Sequence, residues 1–170
     1  MIEDEVGCVA ARVLELCRSK RLKIATAESC TGGLVAGALT EIAGSSDVFE
    51  CGYVTYSNVA KEAMLGVPAT LLERHGAVSR QTAESMALGA LAKSAVDMAV
   101  AITGIAGPGG GSADKPVGLV HFAAAARDGR LVHREKRYGD RGRRAVRLVS
   151  VLEALDMIEL LADECSLPGG

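Results

Sequence analysis

The chain has 170 residues, 49% hydrophobic and 24% charged, with a formal net charge of −2. That suits one globular domain able to bury its own core. It excludes the wide basic face of a nucleic-acid binder, and three tyrosines with no tryptophan offer little to stack on bases. No apolar run reaches the length needed to span a bilayer, and the N-terminal M-I-E-D-E-V is acidic where a signal peptide is basic. The five cysteines are scattered, without a C-x-x-C pair, and so are the three histidines. This pattern fits reduced thiols in a cytoplasmic protein and contains no zinc motif.

In chain order, Val6 to Arg18 carries apolar residues at helical spacing. Lys23 to Ala27 is a short apolar strand, and Glu28 to Thr31 a polar turn. Gly32 to Ala43 is a helix built on Leu34, Val35, Ala38, Leu39 and Ile42 and ended by Gly44. Glu50 to Tyr56 has the aromatic and β-branched content of a strand. Two short helices follow, Val59 to Leu65 behind a Ser57 cap and Pro68 to about Arg74. Ser79 caps a helix over Thr82 to Ser94 with Met86, Leu88, Ala90 and Leu91 inward. Asp97 to Thr103 is nearly continuously apolar, as a strand covered on both faces is. After a glycine-rich loop from Gly104 to Pro116, Val117 to Ala126 and Leu131 to Tyr138 form a hairpin. A terminal helix over Asp140 to Leu161 starts basic and continues apolar, and Ser166 to Gly170 is a frayed, disordered tail. The expected fold is a single α/β domain over residues 1–165. It has three layers, α/β/α, around a mixed, mostly parallel sheet of about five strands.

Three polar clusters follow candidate strands: Glu28-Ser29-Cys30-Thr31, Tyr56-Ser57-Asn58 with Lys61, and Thr103 with the glycine loop. In open α/β sheets ligands bind beyond the carboxyl ends of strands, so these clusters converge if their strands are parallel neighbours. Ser29 then sits at a strand-turn-helix junction. The backbone N–H groups of Cys30, Thr31, Gly32 and Gly33 would face developing negative charge there. An ordinary helix cap explains the same residues. Cys30, at a helix start, is either a thiol of lowered pKa or a small buried residue. The loop lacks the G-K-[ST] of a P-loop and the helix start of a dinucleotide fingerprint, leaving a permissive backbone that a ligand can approach closely. Lys61 is a solvated lysine or, if desolvated, a general base for a serine. Arg141, Arg143, Arg144 and Arg147 oppose the dipole of the last helix; either a bound anion offsets that cost or they form a solvated basic face balancing Asp140, Glu135 and Asp128.

The motifs A-E-S-C-T-G-G (27–33), G-S-S (44–46), V-T-Y-S-N (54–58) with Lys61, L-G-V (65–67), H-G-A-V-S (75–79), T-G-I-A-G-P-G-G (103–110) and K-P-V-G (115–118) occur in one order from about Leu22 to Leu160. In this the chain closely resembles the C-terminal domain family of the competence/damage-inducible protein CinA, whose stand-alone members include nicotinamide mononucleotide amidohydrolases. The resemblance implies an α/β/α domain, commonly a homodimer. The implied reaction is hydrolysis of the carboxamide of a pyridine ribonucleotide, nicotinamide mononucleotide, to nicotinic acid mononucleotide and ammonia, without metal or cofactor. It implies Ser29 as nucleophile and Lys61 as its base, with Tyr56 and Thr103 flanking the site. Substrate binding would fall to the loop glycines Gly104, Gly107, Gly109 and Gly110 and to Arg141 and Arg147. One departure is visible. Family members tend to place the next arginine four residues after that of G-D-R, whereas G-D-R-G-R-R-A-V-R puts Arg147 six after Arg141. It is Arg143 that has the four-residue spacing to Arg147. A non-catalytic binding domain of the same fold, or an amidohydrolase of another small amide, are the alternatives.

Overall fold

The computed structural model describes residues 1–165, and the expected tail at Ser166 to Gly170 lies outside them. The elements run α1 (Ile2–Ser19), β1 (Ile24–Glu28), α2 (Leu34–Thr40), β2 (Phe49–Val54), α3 (Asn58–Leu65), α4 (Ala69–His75), α5 (Arg80–Lys93), β3 (Met98–Gly104), β4 (Leu119–Ala126), β5 (Leu131–Arg137) and α6 (Arg143–Glu164). A single 3-10 turn covers Ser45–Asp47.

The sheet order is β2-β1-β3-β4-β5. The β1–β2 and β1–β3 pairings are parallel, while β3–β4 and β4–β5 are antiparallel. Four strands therefore run one way and β4 alone opposes them, which agrees with the expected mixed, mostly parallel sheet. Side chains alternate across a strand, and here the alternation sorts them by size. Ile24, Met98, Val100, Ile102, Val120 and Phe122 belong to the core shared with α1, α2 and α6. Their neighbours Ala25, Ala27, Ala99, Ala101, Ala123 and Ala125 belong to the core shared with α5 and Leu65 of α3. The alanine face lets α5 lie close to the sheet. The other face needs large side chains to fill the space beneath two long helices, and full burial of Phe122 contributes about 2 kcal/mol.

The boundaries differ from expectation where backbone geometry decides. Helix α1 begins four residues before Val6, and its first turn carries Glu3, Asp4 and Glu5, which the helix dipole favours. Helix α6 begins at Arg143 behind Gly142, so Arg141 lies in the preceding loop. Leu88, expected inward, is 49% exposed. The buried stripe of α5 is Ala83, Met86, Ala87, Ala90 and Leu91, and at 3.6 residues per turn position 88 falls outside it.

Candidate active site

Parallel pairing of β2, β1 and β3 brings the carboxyl ends of all three strands to one edge of the sheet. The condition for convergence is met. Ser29 N–H donates to the Ile102 carbonyl at 2.9 Å, and Thr55 N–H to that of Glu28 at 2.9 Å. The ladder thus continues one residue past β1 on each side, and Ser29 is fixed where the sheet ends.

Lys61 comes from α3. Ser57 caps that helix, its Oγ accepting from Ala60 N–H at 3.1 Å. Gly66, at φ +69°, closes the other end, where the N–H groups of Gly66 and Val67 donate to the carbonyls of Glu62 and Lys61. A left-handed residue at that position favours glycine. Secured at both ends, the helix points Lys61 inward, where only 1% of the residue is exposed. Its Nζ lies 3.0 Å from Ser29 Oγ and donates to the Thr55 carbonyl at 2.8 Å. Burial pushes the Lys61 pKa below its ordinary value, because the charged form loses its hydration.

A cavity of about 260 Å3 opens over this pair. Ser29, Cys30, Tyr56, Lys61, Thr103, Gly104, Gly107, Gly109 and Gly110 line it, nine of the residues singled out from sequence. Thr103 is buried, and its hydroxyl donates to the Ala77 carbonyl at 2.7 Å. It thereby ties β3 to the segment 76–79, whose Ala77 and Val78 also line the cavity. Those two carry no polar side chain, and only the H-G-A-V-S motif marked them.

The arginines divide the work differently from expectation. Arg143 lines the cavity. It donates to Tyr56 Oη at 2.6 Å and to the Gly107 carbonyl at 3.0 Å, bridging the mouth from α6 to the segment between β2 and α3 and to the glycine loop. Arg141 does not line this cavity. It borders a separate hollow beside Ile2, Arg144 and Leu148. Arg147 is directed at the turn itself, donating to the carbonyls of Cys30 at 3.1 Å and Thr31 at 3.0 Å. Helix α6 starts at Arg143 behind Gly142, which leaves Arg141 in the preceding loop and Arg143 in the first turn.

One further expectation needs correction, and the open reading of Cys30 is decided. Gly32 N–H is used by the Ser29 carbonyl at 3.1 Å and Gly33 N–H by Glu28 Oε2 at 3.0 Å, so neither glycine offers a free oxyanion donor. The Glu28 carboxylate also accepts from Val35 and Ala36, and so already occupies the α2 N-terminus. Cys30 is not an activated thiol, since burial pushes its pKa up to about 12.

The model of the CinA C-terminal domain family matches residues 7–162. The chain belongs to the CinA C-terminal domain family. Several curated CinA relatives are much longer. A CinA-like protein of Synechococcus sp. (strain RCC307) is 54% identical over 89% of this chain, which spans 36% of that protein. Others match along nearly their whole length. A nicotinamide-nucleotide amidohydrolase PncC of Enterobacter agglomerans is 51% identical over 91% of this chain and 94% of its own. One of Pseudomonas putida is 47% identical over 95% and 99%. Among solved CinA structures, the competence/damage inducible protein CihA of Agrobacterium tumefaciens superposes with a TM-score of 0.91 at 56% identity, covering 94% of this chain and 96% of that one.

Proposed function

We propose that this chain hydrolyses the carboxamide of nicotinamide mononucleotide to nicotinic acid mononucleotide and ammonia, with Ser29 as nucleophile and Lys61 as base. The observation that carries the reading is the buried contact of Lys61 Nζ with Ser29 Oγ at 3.0 Å. The two relatives named nicotinamide-nucleotide amidohydrolase, at 51% and 47% identity over nearly the whole chain, support the substrate.

In the proposed reaction neutral Lys61 donates one N–H to Thr55 and turns its lone pair to the Ser29 hydroxyl. Ser29 Oγ attacks the amide carbon as its proton passes to Lys61. Charge collects on the amide oxygen and is met by main-chain N–H groups of the turn. Lysinium then protonates the nitrogen, so that ammonia leaves instead of an amide anion. Water, deprotonated by Lys61, attacks the resulting nicotinoyl ester, which releases the acid and Ser29. The pyridinium ring lies against the Tyr56 ring at the cavity mouth, a cation on an aromatic face. Arg143 leaves Tyr56 Oη to meet the phosphate, for which a guanidinium fork is suited, and the glycine loop offers its backbone to the ribotide. The proposal extends to a homodimer in the cytoplasm.

Ammonia release from nicotinamide mononucleotide, without added metal, tests this against Ser29→Ala and Lys61→Ala. Turnover by the wild type alone is expected. A folded wild type that leaves this nucleotide intact would overturn the substrate, and turnover surviving both substitutions would overturn the dyad.

A further inference from the structure

Arginine 147 is a cation without an acidic partner among the described residues. It is directed at the turn that carries Ser29 and not at the cavity. The donors of that turn show what it governs. Ser29 N–H goes to the Ile102 carbonyl, Gly32 N–H to that of Ser29 and Leu34 N–H to that of Thr31. The N–H groups of Gly33, Val35 and Ala36 go to the Glu28 carboxylate. Across 29–36, the N–H groups of Cys30 and Thr31 are the two without an acceptor among the described residues. A carbonyl oxygen turned to oxyanion above Ser29 therefore has these two main-chain donors to draw on.

The geometry points to Arg147 as the positioning residue of the oxyanion site: it holds the Thr31 N–H directly, and the Cys30 N–H only through Gly32, whose N–H binds the Ser29 carbonyl on the opposite side of the Cys30 peptide. A trans peptide is planar, with its C=O and N–H pointing opposite ways. The guanidinium bond to the Cys30 carbonyl therefore fixes the direction of Thr31 N–H, and the bond to the Thr31 carbonyl holds the next peptide. A cation on a carbonyl also polarises that peptide and makes its N–H the stronger donor. Packing agrees with this placement. A Cβ on Gly32 would come within 3.4 Å of Arg147 Nη2, so the guanidinium lies directly over the turn. Arg147 touches no substrate in this scheme. It acts through the peptides it braces, and the inference rests on Ser29 being the nucleophile.

The test uses Arg147→Lys and Arg147→Ala in the full chain, each checked for folding by circular dichroism and thermal melting. Two readouts are taken: steady-state hydrolysis of nicotinamide mononucleotide, and the rate at which a fluorophosphonate labels Ser29. The labelling reaction builds charge on a phosphoryl oxygen at the same donors and does not depend on the nucleotide. For Arg147→Ala, kcat and the labelling rate are expected to fall together by about 10- to 100-fold. KM should stay within about twofold and the pH dependence set by Lys61 should not move. Free guanidinium ion should restore part of both rates, and Arg147→Lys should fall between wild type and Arg147→Ala. A rise in KM with kcat retained would make Arg147 a substrate contact and overturn the inference, as would unchanged kcat and labelling. A wild type that labels but leaves the nucleotide intact would remove the proposed substrate alone, with labelling still deciding Arg147. A folded wild type that resists labelling would remove the Ser29 nucleophile and this inference with it.

Discussion

Lys61 Nζ and Ser29 Oγ stand 3.0 Å apart in a cavity that no aspartate or glutamate lines among the described residues. A buried lysine is ordinarily neutralised by a carboxylate partner. Here it meets a hydroxyl and a main-chain carbonyl, which suit an uncharged amine that donates one hydrogen bond and accepts another. In the proposed reaction the cost of desolvating the charge is what makes Lys61 a base.

The pH profile of hydrolysis should report that cost. In the proposed reaction Lys61 works when deprotonated, so kcat/KM is expected to rise with pH along a limb whose apparent pKa lies below the ordinary 10.5 of lysine. Lys61→Arg keeps the charge and cannot lose it, and should be inactive across the whole profile, from about pH 6 to 9.5. An activity limb left in place by Lys61→Arg would assign the titration to another group.

Arg143 should govern discrimination for phosphate. It is the arginine that lines the cavity, and its partners there are an exposed tyrosine hydroxyl and one carbonyl. Arg143→Met is expected to lower kcat/KM on nicotinamide mononucleotide by about 100-fold, the loss of one or two hydrogen bonds to a charged group. Activity on the riboside, which has no phosphate, should change by less than about threefold. Equal losses on both substrates would place its effect on the Tyr56 bridge.

Glu28 should matter to stability more than its position beside Ser29 suggests. It is fully buried, and its carboxylate accepts from three N–H groups at the start of α2. Glu28→Ala strands those donors and opens a void, and is expected to cost about 3 kcal/mol by urea denaturation. Glu28→Gln keeps one acceptor oxygen and should cost about 1 kcal/mol.

Gly89 ties this stability to the site. A Cβ there would lie 2.1 Å from the Leu65 carbonyl, at the end of the helix that carries Lys61. Gly89→Ala must push α3 away from α5, and is expected to lower stability by about 3 kcal/mol. Activity should fall even at temperatures where the variant is folded, since the Lys61–Ser29 distance depends on α3.

Much of this could be read from the sequence because it is local. The strand-turn-helix around Ser29, the Ser57 cap and the continuously apolar β3, buried on both faces, each depend on neighbours within a few positions, and each forms as expected. The arginines could not be placed from the sequence, because G-D-R-G-R-R-A-V-R carries four of them, Arg141, Arg143, Arg144 and Arg147, around the start of α6. Nothing short of the helix start, fixed at Gly142, decides between Arg141 and Arg143. Two of the four expected oxyanion donors, Gly32 and Gly33, were not recognised as already bonded, for a different reason. The Glu28 side chain folds over the turn to take the N–H groups five, seven and eight residues ahead, and a pattern that treats Glu28 as turn surface cannot count them as used. Leu88 is apolar and exposed because the buried stripe of α5, formed by Ala83, Met86, Ala87, Ala90 and Leu91, is narrow and passes it by.

The lowered Lys61 pKa also fixes the sign of a stability change. The unfolded chain holds this proton up to about pH 10.5, whereas the folded chain gives it up at a lower pH. Between those two values the unfolded state binds more protons, so stability should rise with pH across that window and level off above it. Below the folded value both states are protonated and the dependence vanishes. Lys61→Met removes the titrating group while keeping a side chain of similar length. The stability of the wild type relative to Lys61→Met, measured by urea denaturation from pH 7 to 10, should therefore grow more favourable as pH increases. A difference that stayed flat would mean that the amine keeps its ordinary affinity for the proton inside the fold, and Lys61 would then be charged at neutral pH and unable to take the proton of Ser29.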